Sequence, residues 1–339
     1  MKAIRITRPG SADVVTLPDI APKSGEVLLK IGFVGFCGSD LNTFRGGNLM
    51  AKPQVIPGHE IGAVIEAVGP DVPSHLVKGM TVTVNPYTNC GICPSCHNGR
   101  PNACRNNETL GVQRDGAMRE YIALPWNKII PAEKLSLKEC ALVEPMSVGF
   151  HAVSRAEITD SDTVMVIGCG MVGLGAVIRA SLRGATVIAA DIDDEKLEIA
   201  RQLGAASALN SLSPEFHQQL MDVTDGNGPD VIIEAVGSPV TYRMAIDEIA
   251  FTGRVICIGY SKADVTFTTK LFVQKELDIR GSRNAMPKDF EAVIRYLERG
   301  TCPVDRLVSG IIKPEEAQQT LEYWSQNPGK VFRYLADFR

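Results

Sequence analysis

Residue types that hold zinc stand close together early in the chain. Gly35-Phe36-Cys37-Gly38-Ser39-Asp40 is answered by Pro57-Gly58-His59-Glu60, with His59 following Cys37 by 22 residues. A thiolate, an imidazole and a carboxylate make a borderline-soft donor set suited to that metal. The chain has only 5 histidines, so one beside a glutamate invites a functional expectation. Glycines on both sides predict tight loops that bring the donors to strand ends. The expectation is a catalytic metal centre. Cys37 as a buried structural thiol, or as a nucleophile, is the competing reading.

A second cluster follows. Cys90, Cys93, Cys96 and Cys104 are spaced C-x2-C-x2-C-x7-C. Four thiolates this close can close a tetrahedral shell, which is how structural zinc is held. An iron–sulfur cluster is the rival, but its cysteine run wants a fourth Cys after three residues and then Pro, whereas Arg105 follows Cys104. With no spare ligand position, the expected role of this zinc is loop order rather than chemistry.

The third signal is Gly168-Cys169-Gly170-Met171-Val172-Gly173, a G-x-G-x-x-G. It follows a strand-like run, Thr163–Ile167, and opens the helical spacing of Met171–Leu182. Gly168 permits a tight turn, Gly170 lets backbone approach a pyrophosphate, and Gly173 lets helix and strand pack closely. The diphosphate then sits at the positive end of a helix dipole. Asp191 lies 23 residues after Gly168, where it can accept both ribose hydroxyls of NAD but would repel a 2′-phosphate. NAD is therefore expected rather than NADP. Ile192, Val236, Gly259 and Ser282 are expected to line the same cofactor site.

The elements needed to position these groups come in two kinds. Residues 1–35, Gly58–Val68 and Gly79–Val84 read as short strands with Gly and Pro punctuation, suggesting a partly closed antiparallel β-barrel. From about residue 160 strands alternate with helices. Thr186–Ala190, a helix from Asp193 or Asp194 to Leu203, Val231–Val236, a helix near Val240–Ile249 and Arg254–Gly259 continue the pattern. That rhythm means a parallel, doubly wound sheet. Helices over Pro287–Arg299 and Pro314–Gln326 and a last strand over Lys330–Leu335 are assigned back to the first domain. The expected domains are 1–148 with 287–339, catalytic, and 149–286, cofactor-binding.

Whole-chain properties narrow the function classes. The 339 residues carry a net charge of -4, and with a pI near 5.8 there is no basic footprint for nucleic acid. Nine cysteines are too sparse for a disulfide scaffold, and clustered cysteines more often mean metal. Met1–Ile6 reads as a strand without an apolar signal region after it, and no apolar run reaches the ~20 residues a spanning helix needs. The expectation is a soluble, cytoplasmic protein.

Together these motifs resemble, in order and over the full length, the zinc-containing medium-chain alcohol dehydrogenase superfamily. Glu144-Pro145 places the chain nearer the sorbitol and threonine dehydrogenase branch, where a Glu stands in the position of a third ligating Cys. The segment Gly281-Ser282-Arg283-Asn284-Ala285, with Pro287-Lys288-Asp289-Phe290, is similar to bacterial L-galactonate and L-gulonate 5-dehydrogenases. The resemblance implies an α/β fold, a Rossmann sheet plus a GroES-like catalytic domain with a structural zinc lobe. It implies two zinc ions per chain, NAD and a homo-oligomer, with a tetramer favoured over a dimer and Leu277–Arg280 as a candidate pairing edge. Cys37, His59 and Glu144 would surround the catalytic zinc, Glu60 would lie beside it or exchange onto it, and Ser39 would carry the alcohol proton away. Asn42 departs from the relatives that have a His there, which removes a titrating group from the proton exit.

The implied reaction is oxidation of a secondary hydroxyl of a sugar acid, with polyols, vicinal diols and L-threonine as other substrates. A zinc-stabilised NAD sensor without turnover is the reading from a different class. Other residues have plainer roles to weigh. Glu144 would serve as a helix-start carboxylate and Ser39 as a helix cap. Arg283, with Asn284 beside it, would bind a substrate carboxylate or Glu144, or stay a surface arginine. His151 reads as a packed core histidine.

Overall fold

The computed structural model describes residues 1–339 and contains fifteen strands. In chain order they are β1 (Lys2–Arg8), β2 (Ser11–Thr16), β3 (Glu26–Gly35), β4 (Glu60–Val68), β5 (Thr81–Val84), β6 (Tyr121–Pro125), β7 (Ile129–Pro131) and β8 (Thr163–Ile167). They continue as β9 (Thr186–Asp191), β10 (Ser207–Asn210), β11 (Val231–Glu234), β12 (Arg254–Cys257), β13 (Asp278–Gly281), β14 (Gly310–Ile312) and β15 (Tyr334–Asp337). The chain divides into two units, Met1–Glu144 with Met286–Arg339, and Pro145–Ala285.

In the first unit everything hangs on β3. Its run Val-Leu-Leu-Lys-Ile-Gly-Phe-Val is buried except at Lys30, because it is flanked on both sides. It pairs antiparallel with β4, β6 and β15, inside a sheet of order β14-β15-β3-β4-β5-β7. Leu29, Ile31, Val34, Ile61, Ile65, Val82 and Leu124 meet Leu321 and Trp324 in one core. Each such side chain, fully buried, contributes about 1.5–3 kcal/mol. β1 and β2 form a separate hairpin.

The second unit is a six-stranded sheet, parallel throughout, of order β10-β9-β8-β11-β12-β13. This is the doubly wound order, with the strand sequence reversing between β8 and β11. β8 is buried at Val164, Met165, Val166 and Ile167, as a strand covered on both faces must be. The helix Met171–Leu182 has the bounds its spacing predicts, and Gly184 beyond it takes φ +90°. Asp193 caps the helix Asp194–Gln202 by accepting from the amides of Glu195 and Lys196.

Two expectations need correction, and one competing reading of Glu144 falls. Glu144 does not start a helix: Glu144-Pro145 lies in the middle of a 20-residue helix, Leu137–Ala156. Burial of Ala141, Leu142, Val143 and Met146 supports the helix although Pro145 removes one backbone donor. The last strand begins at Tyr334 rather than Lys330, because Pro328-Gly329-Lys330 forms a 3₁₀ turn first. Pro314–Gln326 is likewise a 3₁₀ turn, Pro314–Glu316, continued by the helix Ala317–Gln326. No helix is long and apolar enough to cross a membrane.

Candidate active site

Cys37 caps the short helix Gly38–Phe44 just past the end of β3, and Glu60 opens β4. Antiparallel register sets Gly35 opposite Glu60. A Cβ at Gly35 would sit 2.1 Å from Glu60 Oε2, so any side chain there would displace the Glu60 carboxylate. The turn before His59 is held from one segment: Asp115 accepts from the Ile56 amide at 3.1 Å, while Gly116, Ala117 and Met118 donate to Ile56, Gly58 and Pro57 carbonyls. The result is convergence. Donor atoms of Cys37, His59 and Glu60 lie within 4.8 Å of one another.

The polar atoms here are short of partners. His59 Nδ1, both Glu60 carboxylate oxygens, one Asp40 oxygen and the Ser39 hydroxyl are buried without a hydrogen bond. Arg333 Nε is 3.1 Å from Glu60 Oε2, an ion pair that lacks hydrogen-bond alignment. Arg333 also donates to the Phe36 carbonyl at 2.6 Å. Burial works against its charge, and Glu60, Cys37, Glu144 and Asp40 more than restore it, raising the arginine pKa. Burial pushes Asp40 up to about 6, although His59 and the Cys37 amide pull the other way. Burial likewise lifts Glu144 to about 7 against His59. His59 stays well above its ordinary value despite burial, because the Cys37 thiol and Glu144 favour its charged form. Buried imidazole and carboxylate atoms without hydrogen-bond partners, beside a thiol, are a donor set that a divalent cation would satisfy. Zinc fits these residues.

Glu144 stands outside the group of three. Its Oε1 accepts from the hydroxyl of Tyr87, a buried ring whose pKa burial and Glu144 both raise, so that it remains a donor.

Cys90, Cys93, Cys96 and Cys104 form the other convergent set, again within 4.8 Å. Sulfur separations of 3.5 Å (Cys93–Cys96), 3.8 Å (Cys93–Cys104) and 3.5 Å (Cys90–Cys104) approach the edge of about 3.8 Å expected of a tetrahedral zinc–thiolate shell. The Ser95 hydroxyl, then the Arg105 and Cys96 amides, draw the Cys93 thiol down to about 5, while burial and the Cys93 contact push its neighbour Cys96 up to about 11.

In the parallel sheet, Gly168 takes φ +94°, and a Cβ on Gly173 would lie 1.8 Å from the Gly168 carbonyl. Gly170, the N-cap of Met171–Leu182, has nothing within 4 Å of where its Cβ would be, leaving backbone open to a phosphate. Val172 lies in the first turn of that helix. Asp191 accepts from the Cys169 amide at 2.6 Å and from the Ile192 and Asp193 amides at 2.8 and 3.0 Å. Ile192, Val236, Gly259 and Ser282 all stand just past the carboxyl ends of β9, β11, β12 and β13. That is the side where open α/β sheets bind ligands. Arg283 and Asn284, the latter at φ +54°, follow Ser282 in this unit. His151 is buried, as a core histidine.

Sequence reasoning missed Arg333, Tyr87 and the structural part played by Asp40 and Asp115. A single arginine inside the otherwise apolar Val331-Phe332-Arg333-Tyr334-Leu335 was the available signal for the first.

Residues 23–134 match the alcohol dehydrogenase GroES-like domain, and residues 171–299 match the zinc-binding dehydrogenase domain. The chain is 34% identical to L-galactonate-5-dehydrogenase of Escherichia coli K12 over 289 residues, 85% of this chain and 84% of that protein. It is 33% identical to sorbitol dehydrogenase of Bacillus subtilis 168 over 327 residues, 93% of this chain and 90% of that one. A solved alcohol dehydrogenase (rspB) of Escherichia coli CFT073, complexed with NADH, superimposes with a TM-score of 0.90 at 29% identity over 99% of each chain. The chain therefore belongs to the zinc-type medium-chain alcohol dehydrogenases, NAD-dependent oxidoreductases with a GroES-like domain and a Rossmann sheet.

Proposed function

We propose that this dehydrogenase oxidises a secondary hydroxyl of a sugar acid, of the L-galactonate or L-gulonate type, to the ketone. The hydroxyl-bearing carbon gives its hydride to NAD, and the hydroxyl proton leaves as H⁺. The observation that carries the chemistry is the buried convergence of Cys37, His59 and Glu60 with unsatisfied acceptors. The 34% likeness to L-galactonate-5-dehydrogenase supports the substrate class.

Cys37, His59 and Glu144 are the proposed zinc ligands, with Glu60 beside them as the alternate. Zinc held there supplies Lewis acidity that makes the substrate hydroxyl acidic, while NAD supplies the hydride acceptor. Ser39, whose hydroxyl has no protein partner, receives the alcohol proton and passes it outward. Asn42 donates to the Gly47 carbonyl at 3.4 Å and cannot titrate, so the next step falls to water or the cofactor ribose. Asp40 orients the Cys37 loop through the Cys37 amide at 2.8 Å. Arg283 and Asn284 are assigned to the substrate carboxylate. The 33% likeness to sorbitol dehydrogenase, over more of the chain, supports a polyol as the second reading. A cytoplasmic tetramer is part of the proposal, with β13, the outermost strand of its sheet, as one pairing edge.

Metal analysis of Cys37→Ser tests the centre. Zinc should fall from about two per chain to one, with NADH production lost. Unchanged turnover would sink the scheme. A panel of aldonates and polyols with NAD, followed by NADH absorbance, tests the substrate. Activity on sorbitol and none on any aldonate refutes the sugar-acid assignment.

A further inference from the structure

We propose that Tyr87 is a positioning residue: held between the two segments that flank the four-cysteine lobe, it fixes the Glu144 carboxylate for the metal centre. The proposal rests on the reading of Glu144 as a ligand of the catalytic zinc.

Tyr87 lies between the end of β5 and Cys90, the first cysteine of the lobe. Its backbone forms a bridge to Thr109 on the segment leaving Cys104, the last one. Neighbouring contacts close the same ladder. The Leu110 amide donates to the Pro86 carbonyl at 3.1 Å, and the Thr88 amide to the Glu108 carbonyl at 3.3 Å. The Glu108 amide donates back to the Thr88 hydroxyl at 2.7 Å. Drawing Cys90 and Cys104 to one metal therefore holds both strands of chain on which Tyr87 sits.

From that base the side chain points to Glu144. The ring is 5% exposed and meets Phe290 edge to face, with centroids 6.3 Å apart at 68°. Phenylalanine would fill this space equally well, so packing does not account for the hydroxyl. What the hydroxyl does is donate to Glu144 Oε1. A carboxylate anchored at one oxygen presents the other in a fixed direction, and partners that orient a metal ligand in this way are worth about 10- to 100-fold in metal affinity. Cys37, His59 and Glu60 converge within 4.8 Å without Glu144, so the direction of its carboxylate bears on whether it joins them, and the Tyr87 hydroxyl is one contact that sets that direction.

Zinc competition with a chromophoric chelator, on the two-zinc enzyme, tests the proposal. Tyr87→Phe should weaken one of the two zincs by about 10-fold or more and leave the other unchanged. Glu144→Gln should weaken the same zinc, and the double variant should be no weaker than Glu144→Gln alone, because the tyrosine acts through the glutamate. If Glu144→Gln weakens that zinc while Tyr87→Phe holds both as the wild type does, Tyr87 has no positioning role and the ligand reading stands. If Glu144→Gln itself changes neither zinc, the ligand reading fails and takes this proposal with it. Equal weakening of both zincs by Tyr87→Phe means general loosening of the lobe and also overturns it.

Discussion

Arg333 is the residue on which the charge of the metal centre turns. It is nearly fully buried among Glu60, Glu144, Asp40 and Cys37, and its guanidinium is held by the Phe36 carbonyl and the Glu60 carboxylate. Removing one partner of a buried ion pair leaves the other without compensation and costs about 3–5 kcal/mol. Arg333→Met should therefore lower stability by about that much in urea unfolding, with slope m unchanged. Loss of under about 1 kcal/mol would show that Glu60 does not depend on it. Cys37, His59 and Glu60 are visible in the sequence because their residue types are those of zinc sites. Arg333 is not, because arginine is common, and only the placement of β15 beside β3 brings it to Glu60.

At the scale of elements, the segment Asp115–Met118 braces the turn before His59. Burial alone would raise the Asp115 pKa, but the Lys52 ammonium and the Ile56 amide outweigh it and hold the carboxyl below the usual range. A carboxyl depressed in the folded state adds stability that is fully present above its unfolded pKa of about 3.9 and is lost as pH falls through the folded value. The melting temperature of Asp115→Asn should thus sit below that of the wild type by a constant gap from pH 5 to 8. The gap should close below about pH 4. A gap that persists undiminished at pH 3 would assign the loss to packing instead of charge. The helix Leu137–Ala156 shows where element reading from sequence stops: Pro145 marks a boundary by local rules, and packing of its neighbours carries the helix through it.

For the whole molecule, β13 ends the parallel sheet with Ile279 46% exposed on an edge that pairs only with β12. An open edge is a template for another chain, and Ile279 is the apolar residue that this one exposes. If the proposed tetramer pairs along this edge, Ile279→Lys should lower the mass seen by light scattering while leaving the zinc content at the wild-type value. An unchanged mass removes β13 from the interface. The alternation of strands and helices after residue 160 made the doubly wound unit legible, because each element is written in a local period. The mostly antiparallel unit was legible as short strands of an antiparallel class, but not in its order. Its order, with β3 between β15 and β4, comes from long-range pairing that short strands do not encode.

The same division holds for the centres. The dinucleotide turn and the four-cysteine lobe are each contained in one short stretch, so spacing and backbone freedom alone determined them: glycines for the turn at Gly168–Gly173, and thiols at Cys90–Cys104. Tertiary structure decided which groups surround Cys37. Glu60 arrives by strand register, Arg333 from the residue just before a late strand, Glu144 from a helix interior and Tyr87 from the flank of the lobe. Each contact joins residues distant in the chain, and the charge balance among them exists only once burial has removed water from them all.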